Sequence, residues 1–595
     1  MSSSSPLSTV QLHLVDTIDE LFAMSRWIGE RREGPVCFDV ESEGLDPFRH
    51  KVRLVQIGDK TTAWAVPYEL WGGGVLELLR KYEGELAGHN ASFDHRMLKV
   101  NAGLDLPWSR LHDTMTLAAI DDPVRSKGLK ELAALLIDPF ARTGQKALDD
   151  GMKRRGWTWA TVPLTFEPYW VYAACDVIFT AHLFDIFHQR VMMTSPQVYD
   201  LERAVSRICS RMMLAGMATD AVYIRDSISK LRAYADECRS WLKEYHGITS
   251  PLSAKQISSA LEAAGHAITE RTATGLPRTD KEVLEGVRDF GETPAAKEIA
   301  RCVLNVRMAE KGIGSYLENF LACADEQGVV HPQIWTMAAR THRMSISEPA
   351  LQTLTRDMHA IRGSFVPRPG CALISIDASQ IEMRLAASIS RDEGLIRAFR
   401  EADAGGRDFY SGVATELFRD EVTKGDPRRQ LTKNMSFAKV YGAGVSKMAR
   451  MVGLPASQVR PVYDAFNERF PGLERLSRKL NENAARAIQA GERPVVRTDI
   501  GRMLPVDRDK IYAGINYRIQ GTAGDVLKRG LVELESAGYG DMLRCVVHDE
   551  CIIECPSENA EDVLREVSTV LTSVGDGYAV PIPWEGKIMR ERWEK

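Results

Sequence analysis

Four functional side chains recur at every fourth residue between positions 429 and 441: Arg429, Lys433, Phe437 and Tyr441. In an α-helix a step of four residues advances about 400°, so the row drifts only about 40° per step and stays on one face about 18 Å long. Cations bind phosphate oxygens, and aromatic rings stack on bases and sugars. The pattern predicts a helix that presents one surface to a nucleoside triphosphate. For this motif alone, a basic amphipathic helix on the protein surface is the alternative.

The same segment indicates where this helix begins and ends. Asp426 is a good N-cap, Pro427 suits the first helical position, and Gly442 ends the run. Residues 424–450 carry seven Lys/Arg and one acid, 7 − 1 = +6, although the whole chain has a net charge of −5. A local basic patch can therefore hold a polyanion in an acidic chain.

Composition limits the kind of protein. A chain of 595 residues is long enough for several domains, and 44% hydrophobic with 26% charged residues is ordinary for a globular protein. The chain has no uninterrupted apolar run of about 18 residues and no signal peptide at Met1–Pro6, so we expect neither a membrane segment nor secretion. The ten cysteines form no C-x₂-C pair, which predicts reduced, mostly buried thiols.

The pattern of strands and helices changes along the chain. Residues 1–10 are polar and are expected to be disordered. From Val36 to about His188, strand-like and helix-like stretches alternate, which is typical of an α/β domain. The remainder is predicted to contain helices over 200–325 with a polar break at 269–279, a strand from Cys371, helices over about 391–490, and strands at 495–505 and 543–555.

The α/β region carries a first set of acids. Asp39 and Glu41 follow an apolar strand, and they face the same way because side chains alternate along a strand. Two adjacent carboxylates repel each other unless a cation lies between them. Three acidic motifs follow one another in this region: Asp39-x-Glu41, Asn90-x₃-Asp94 and Tyr172-x₃-Asp176. Any one of them could be a turn cap or a surface contact, but their order within one domain favours a common site.

A second set of acids lies in the strand-rich regions. An apolar strand ends at Asp377, and the segment His548-Asp549-Glu550 lies between two further apolar strands. This predicts a hairpin with acids at its tip, and Asp377 and Asp549 could form a second two-metal site. Glu382 has an alternative interpretation, because it ends an S-x-x-E pattern that fits a capping box.

The first set resembles the DEDD family of 3′–5′ exonucleases, in the variant with a tyrosine in its third motif. The second set, with the basic helix between its halves, resembles family A DNA polymerases, the class of bacterial DNA polymerase I. The resemblance covers nearly the whole chain from about residue 35. It implies a multidomain α/β and α+β fold, in which an RNase H-like 3′–5′ exonuclease domain precedes a right-hand polymerase. Further matching residues are Arg343, Asn516, Gln520, Asp525 and Trp593.

The resemblance also implies domain limits. These are a disordered tail at 1–10, the exonuclease domain at 11–195, a helical thumb at 196–335, a palm at 336–390 and 495–595, and fingers at 391–494. We expect no N-terminal 5′-nuclease domain and no large processivity insertion, as in compact bacteriophage polymerases. The expected setting is replication of a phage genome in the bacterial host cytoplasm.

By this resemblance, the exonuclease site would bind two divalent ions through Asp39, Glu41, Asp94 and Asp176, and Tyr172 would orient the attacking water. Magnesium is the expected ion, with Mn²⁺ or Zn²⁺ as alternatives. The ions lower the pKa of the bound water and stabilise charge on the attacking and leaving oxygens.

At the polymerase site, Asp377 and Asp549 would bind two Mg²⁺, one for the primer 3′-hydroxyl and one for the triphosphate, with Glu550 beside them as an auxiliary acid. The resemblance gives the other residues two kinds of role. Those that bind the nucleotide are Arg429 and Lys433 at the triphosphate, Phe437 at the sugar and base, Tyr441 near the templating base, and Glu382 at the ribose 2′ position. Those that bind the primer–template are Arg343, Asn516, Gln520 and His548.

Three positions depart from the bacterial pattern and leave the detailed nucleotide and template contacts open: Ala378, Tyr410 and Tyr512. The expected partners are primer–template DNA and dNTPs, with replisome accessory proteins as further candidates; we expect no membrane partner and a monomer. One alternative is a single-subunit RNA polymerase, against which Glu382 and the exonuclease motifs argue. Another is a nuclease or DNA-binding protein with a degenerate polymerase half, against which the filled metal-ligand positions argue.

Overall fold

The computed structural model describes residues 9–31, 34–354, 359–452 and 455–594. Most of the predicted disordered tail, residues 1–8, lies outside the described residues, and Thr9 and Val10 directly precede the first strand. All ten cysteines lie within the described part of the chain, where they are free thiols and seven are buried, as the sequence predicts.

An α/β region forms the N-terminal third. Its six strands make one mixed sheet in the order β1-β4-β3-β2-β5-β6, in which β2 pairs antiparallel with β3 and parallel with β5. The elements are β1 (Gln11–Leu14), α1 (Ile18–Glu30), β2 (Val36–Ser42), β3 (Val52–Gly58), β4 (Thr62–Pro67), α2 (Tyr68–Lys81), β5 (Leu86–Gly88), α3 (Ala91–Ala102), β6 (Leu111–Asp113), α4 (Thr114–Asp121), α5 (Leu129–Leu136), α6 (Thr143–Arg155) and α7 (Glu167–Thr194).

Helix α7 forms the core of this region. Among the described residues it is the one helix long and apolar enough to cross a membrane, but 61% of its apolar window is buried inside the protein. It packs across β2, β3 and β4 and beside α4. A 28-residue helix that covers a sheet needs apolar residues on most of its surface, which accounts for its hydropathy without a membrane.

A helical region follows. The long helices α9 and α12 pack against each other, and the shorter α10 and α11 complete a separate apolar core around Leu242, Leu284 and Val303. Side chains at both N-caps fix where the long helices begin: Asp220 for α9 and Thr293 for α12. The elements are α8 (Pro196–Ala215), β7 (Met217–Ala218), α9 (Ala221–His246), α10 (Ala254–Ala263), α11 (Lys281–Phe290), α12 (Pro294–Lys311), α13 (Glu318–Cys323) and β8 (Val329–Val330).

The C-terminal region is built on a four-stranded antiparallel sheet in the order β14-β15-β11-β16, with α23 packed against it. A block of helices, α16 to α21, lies between two parts of this region in sequence. The elements are β9 (Gln333–Trp335), β10 (Ser345–Ser347), α14 (His359–Arg362), β11 (Cys371–Ala378), α15 (Ile381–Ser390), α16 (Glu393–Asp403), α17 (Phe409–Phe418), α18 (Pro427–Val440), α19 (Val445–Val452), α20 (Ala456–Arg469), α21 (Pro471–Gln489), β12 (Val495–Arg497), β13 (Met503–Pro505), α22 (Gly514–Ser536), β14 (Leu543–Val547), β15 (Glu550–Pro556), α23 (Ala560–Ser573) and β16 (Trp584–Met589).

A buried ionic network joins α8 to the C-terminal region. Glu202 on α8 is fully buried and pairs with Lys528 on α22 and, at 2.6 Å, with Arg502 in the turn between β12 and β13. Arg502 also pairs with Asp525 at 2.7 Å. Because an unpaired buried charge is strongly destabilising, the members of this network hold one another in place.

Two candidate active sites

The first candidate site lies where β2 faces α7. Alternation along β2 points Asp39 and Glu41 to the same side, and α7 places Asp176 opposite them. Carboxylate oxygens of these three residues lie within 4.8 Å of one another. The sequence predicts that four acids share this site, and the structure brings three of them within this distance.

Asp94, the fourth acid, lies beside this cluster rather than within it. Its Oδ1 accepts a hydrogen bond from the backbone N–H of Val40, 3.1 Å away, so it is fixed to the strand that carries Asp39. Asn90 precedes α3 with a left-handed backbone, φ 63°, and its N–H donates to Asp113 at 2.9 Å. This sharp turn directs α3 so that Asp94 faces β2.

The cluster is electrostatically suited to a divalent cation. Burial raises the pKa of Asp39 to about 7, against the opposing effect of Lys130. Burial and the charge of Asp39 raise the pKa of Glu41 to about 8. Burial and the same charge raise the pKa of Asp94 well above its usual value. Acids whose pKa values are raised by burial and by one another's charge are acids that a divalent cation would deprotonate and bind.

Lys130, which the sequence reasoning missed, enters this cluster from α5. Its Nζ forms an ion pair with Asp176 Oδ1 and lies 4.0 Å from the ring centroid of Tyr172. Burial lowers the pKa of Lys130 to about 8, although the charges of Glu41 and Asp39 act to raise it. A signal was present: Lys130 stands one helical turn before Ala133, on the buried side of a helix whose one other charged residue is Glu131.

The second candidate site lies at the tip of the β14–β15 hairpin. Asp377, near the end of β11, stands directly across from Glu550 at the start of β15. His548 has a left-handed backbone, φ 57°, which makes the tight turn that carries Asp549. Asp377 and Asp549 line one cavity of about 670 Å³. Burial is the main cause of the raised pKa of Asp549, and the charge of Asp377 adds to it.

Glu550 is held by the protein on several sides. Its carboxylate accepts hydrogen bonds from Ser375, from Arg362 at 3.4 Å and from the indole of Trp593 at 3.4 Å. Trp593 is itself fully buried. The catalytic role of Glu550 stays a prediction, and these contacts show that it also fixes the C-terminal residues to the sheet.

The capping-box interpretation of Glu382 is wrong. The N-cap of α15 is Gln380, whose left-handed backbone, φ 53°, starts the helix without a side-chain cap bond. Glu382 Oε1 instead accepts from Arg343 Nη2 at 2.6 Å, and its Oε2 accepts from the Tyr441 hydroxyl at 3.2 Å. The carboxylate is thereby held at the wall of the same cavity as Asp377.

The basic helix forms as the sequence predicts. Helix α18 starts at Pro427, and the N-cap Asp426 accepts from the backbone N–H of Arg428. Gly442 has φ +66°, and a Cβ at this position would lie 2.2 Å from the carbonyl oxygen of Tyr512, so only glycine fits. The helix end is thus pressed against the segment that leads into α22.

Of the four side chains spaced four residues apart on α18, three line the cavity and Arg429 does not. Lys433, Phe437 and Tyr441 line the cavity, together with Tyr410 from α17. Arg429 pairs with Asp408 at 2.8 Å. Asp408 is a partner that only tertiary structure supplies, because it lies 21 residues away in sequence. The ring of Tyr410 lies 5.8 Å from the charged groups of both Arg429 and Lys433.

Three of the four predicted DNA-binding residues line this cavity or contact residues that line it: Arg343, Gln520 and His548. Arg343 Nη2 is 3.7 Å from Asp549 Oδ1, and His548 is part of the cavity wall. Asn516 and Gln520 lie one turn apart on α22, and Gln520 bonds to the Tyr441 side chain. Their contacts with DNA stay predictions.

Comparison with known families decides what the two sites belong to. Residues 223–595 match DNA polymerase family A, and residues 13–192 match a 3′–5′ exonuclease family.

The chain belongs to DNA polymerase family A.

This family A polymerase resembles two mycobacteriophage enzymes along nearly its whole length. It is 30% identical over 580 residues to the DNA polymerase of Mycobacterium phage L5 and 29% identical over 586 residues to that of Mycobacterium phage D29. In both cases the match covers 94% of this chain and 93% of the relative. It is also 26% identical to the DNA polymerase I of Aquifex aeolicus, over 92% of this chain and 94% of that one.

A solved structure shares the fold. It is the POL domain of Pol1 from M. smegmatis in complex with DNA primer-template and dNTP, with a TM-score of 0.79 at 21% identity, and the match covers 98% of this chain and 99% of that one. The exonuclease domain followed by the polymerase confirms the predicted fold class. The enzyme is a template-directed DNA polymerase with a proofreading 3′–5′ exonuclease, which decides against the RNA polymerase and degenerate-polymerase alternatives.

Proposed function

We propose that this polymerase extends primer–template DNA with dNTPs at the cavity between β11, the β14–β15 hairpin and α18, and removes 3′-terminal nucleotides at the cluster between β2 and α7. One observation carries the proposal for synthesis. Side chains from β11, α15, the β14–β15 hairpin and α18 line a single cavity: Asp377, Glu382, Asp549, Lys433, Phe437 and Tyr441.

In the synthetic site, Asp377 and Asp549 would hold Mg²⁺, which would activate the primer 3′-hydroxyl and neutralise the triphosphate. Lys433 and Arg429 would bind phosphate oxygens, Lys433 as a point charge and Arg429 as a fork once it exchanges its Asp408 partner for a phosphate. Their order along α18 would set the direction of the triphosphate in the cavity.

The other polymerase residues would select the incoming nucleotide and orient it against the template. Phe437 would pack against the nucleotide sugar and base, and Tyr441 would lie near the templating base. Glu382, fixed by Arg343 and Tyr441, would stand where a ribose 2′-hydroxyl would enter and so favour deoxynucleotides. Asn516, Gln520, His548 and Arg343 would contact the primer–template.

In the editing site, Asp39, Glu41, Asp94 and Asp176 would hold the divalent ions, with Mg²⁺ as the proposed metal. Dependence on divalent metal is a property of both families, and the raised acid pKa values support this site. Tyr172 would orient the attacking water. Because the acids come from one sheet and two helices of the exonuclease domain, the site would assemble without the polymerase.

The proposed division of labour follows the predicted domain limits, with the exonuclease at 11–195, the thumb at 196–335, the palm at 336–390 and 495–595, and the fingers at 391–494. The similarity to mycobacteriophage polymerases supports a role in replicating a phage genome in a bacterial cytoplasm. We propose that the enzyme acts as a monomer on DNA and meets any replisome accessory proteins there.

One experiment reads both activities. The enzyme is given a primer whose 3′ end is mismatched, with all four dNTPs and Mg²⁺, and then the same primer with rNTPs. We expect excision of the mismatch before extension with dNTPs, and little extension with rNTPs. Extension straight from the mismatch, with no excised nucleotide, would contradict the editing proposal, and a preference for rNTPs would contradict the role of Glu382.

A further inference from the structure

Lys130 occupies an unusual position for a lysine. Only 9% of its side chain is exposed, although lysine is among the residue types least often buried. Desolvating an ammonium group is costly, so a buried lysine persists only where opposite charge compensates it. Here the compensation comes from Asp176, one of the proposed metal ligands.

Both close contacts of the ammonium lie on one helix. Asp176 and Tyr172 are four residues apart on α7 and therefore share a face. Nζ pairs with the carboxylate of the first and lies over the ring of the second. A cation over a ring face is attracted by the ring quadrupole, most strongly where water is excluded. One ammonium thus fixes both side chains that α7 contributes to the editing site.

A count of charges indicates why a cation is useful here. Four carboxylates and two divalent cations cancel, and the phosphodiester of a bound DNA end adds one negative charge. A single ammonium restores neutrality in a site that excludes water, where electrostatic interactions are strong. Among the described residues, Lys130 is the lysine that forms an ion pair with an acid of this cluster.

We propose that Lys130 is a positioning residue of the 3′–5′ exonuclease reaction, which fixes Asp176 and Tyr172 on α7 and holds its ammonium group beside the DNA phosphate. The inference rests on the proposed editing function of this cluster. It adds a residue from α5, outside the Asp-x-Glu, Asn-x₃-Asp and Tyr-x₃-Asp motifs.

The test uses the full-length enzyme and three variants. Lys130→Met removes the charge and keeps the length, and Lys130→Arg keeps the charge. Lys99→Met is the matched control, because Lys99 lies on α3 of the same domain but forms a half-exposed ion pair with Asp105 at 2.6 Å. Single-turnover excision of the 3′-terminal nucleotide from single-stranded DNA is measured at saturating Mg²⁺, with primer extension on each preparation as the test of folding.

We expect Lys130→Met to slow excision about 100-fold, the size of effect seen when one preorganised electrostatic contact is removed. Lys130→Arg should recover at least about one tenth of the wild-type rate, and Lys99→Met should excise normally. Extension should stay within about twofold in all three. A Lys130→Met enzyme that excises within about twofold of wild type would overturn the proposal.

A second readout separates a positioning role from a merely structural one. Binding of Mn²⁺ is measured by titration without DNA, and we expect Lys130→Met to bind it at least as tightly as wild type, since no ligand is removed. If Mn²⁺ binding is lost together with excision in both Lys130 variants, the substitutions have disrupted the metal ligands themselves and the proposal fails.

The failure of this inference is distinguishable from failure of the proposed function. Asp39→Ala with Glu41→Ala is assayed alongside. If that enzyme still excises, the editing site itself is misassigned. If it is inactive while Lys130→Met is normal, only the inference about Lys130 is wrong.

Discussion

The two acid clusters of this polymerase are assembled in different ways. In the editing site, three carboxylates lie within 4.8 Å of one another, all from one domain, and an ammonium is already in contact with them. In the synthetic site, Asp377 and Asp549 come from a strand end and a hairpin turn, and the proposed triphosphate cations stand on α18, across the cavity.

The two sites differ in which part of the protein supplies their basic side chains. The editing cluster receives one from within its own fold, through Lys130. The synthetic cluster has Arg343 at 3.7 Å from Asp549 and depends on α18 for the rest. An editing site of this kind is complete once its domain folds, whereas the synthetic site is complete only when α18 faces β11 and the β14–β15 hairpin. The two activities should therefore respond independently to local substitutions.

The largest expected effect is on synthesis. Asp549→Asn keeps the shape of the side chain but removes a charge at the proposed metal position, so we expect extension to fall by about 1,000-fold or more, a loss of about 4 kcal/mol of transition-state stabilisation. Excision of a 3′ end should be unchanged. Asp541→Asn, an exposed acid just before β14, is the control. Equal loss of both activities would show that the two sites are not independent.

The complementary change is Asp39→Ala with Glu41→Ala. It removes two of the three converging carboxylates, so we expect 3′-end degradation to fall below detection while extension stays within about twofold. Release of labelled terminal nucleotide from single-stranded DNA measures the first, and primer extension the second. Glu77→Ala, an exposed acid on α2, is the control. Loss of extension in the double variant would contradict the separation of the two domains.

A change in the buried network between α8 and the C-terminal region should lower the stability of the polymerase. Glu202 is buried between Lys528 and Arg502, and Glu202→Gln would leave these buried cations without their shared counter-charge. Breaking a buried pair costs about 3–5 kcal/mol. We expect the thermal unfolding midpoint to fall by several degrees and synthesis to be lost at a lower temperature than in wild type. An unchanged midpoint would show that the network does not stabilise the contact between α8 and the C-terminal region.

The same residue predicts a dependence on pH. Burial acts to raise the pKa of Glu202, but the charges of Lys528 and Arg502 outweigh it and hold that pKa below its usual value. A depressed pKa in the folded state means that this stabilisation is complete above the unfolded pKa, about 4.3, and is lost as pH falls through the folded pKa. The difference in unfolding midpoint between wild type and Glu202→Gln should therefore shrink as the pH is lowered below about 4. A constant difference would exclude the carboxylate charge as its cause.

Local chemistry explains what the sequence predicted well. The limits of α18 follow from Asp426, Pro427 and Gly442, each of which acts on its own backbone. The β14–β15 hairpin follows from two apolar runs around a polar turn. Alternation along β2 was enough to place Asp39 and Glu41 together. These features depend on residues within a few positions of one another.

Features that depend on distant residues could not be predicted in this way. The capping-box prediction at Glu382 was wrong for two reasons. Gln380 takes a left-handed backbone, and Arg343, 39 residues earlier, donates a hydrogen bond to the Glu382 carboxylate. Lys130 reaches Asp176 across 46 residues. No periodicity encodes such pairings, since they arise only when two elements pack against each other.

The smallest expected effect concerns the choice of sugar, and it sharpens the comparison because a change at Glu382 should alter synthesis alone. Glu382→Ala would open the cavity wall where a 2′-hydroxyl would enter, so we expect rNTP incorporation relative to dNTP incorporation to rise about 10–200-fold, the range that one lost steric or apolar contact supplies. Tyr441→Phe is the matched control, because it removes the hydroxyl that bonds Glu382 but leaves the carboxylate and its Arg343 partner in place. Single-nucleotide extension with paired dNTP and rNTP measures the ratio. If Tyr441→Phe relaxed the choice as much as Glu382→Ala, then the selectivity would come from the position that Tyr441 imposes on the carboxylate rather than from the carboxylate's bulk.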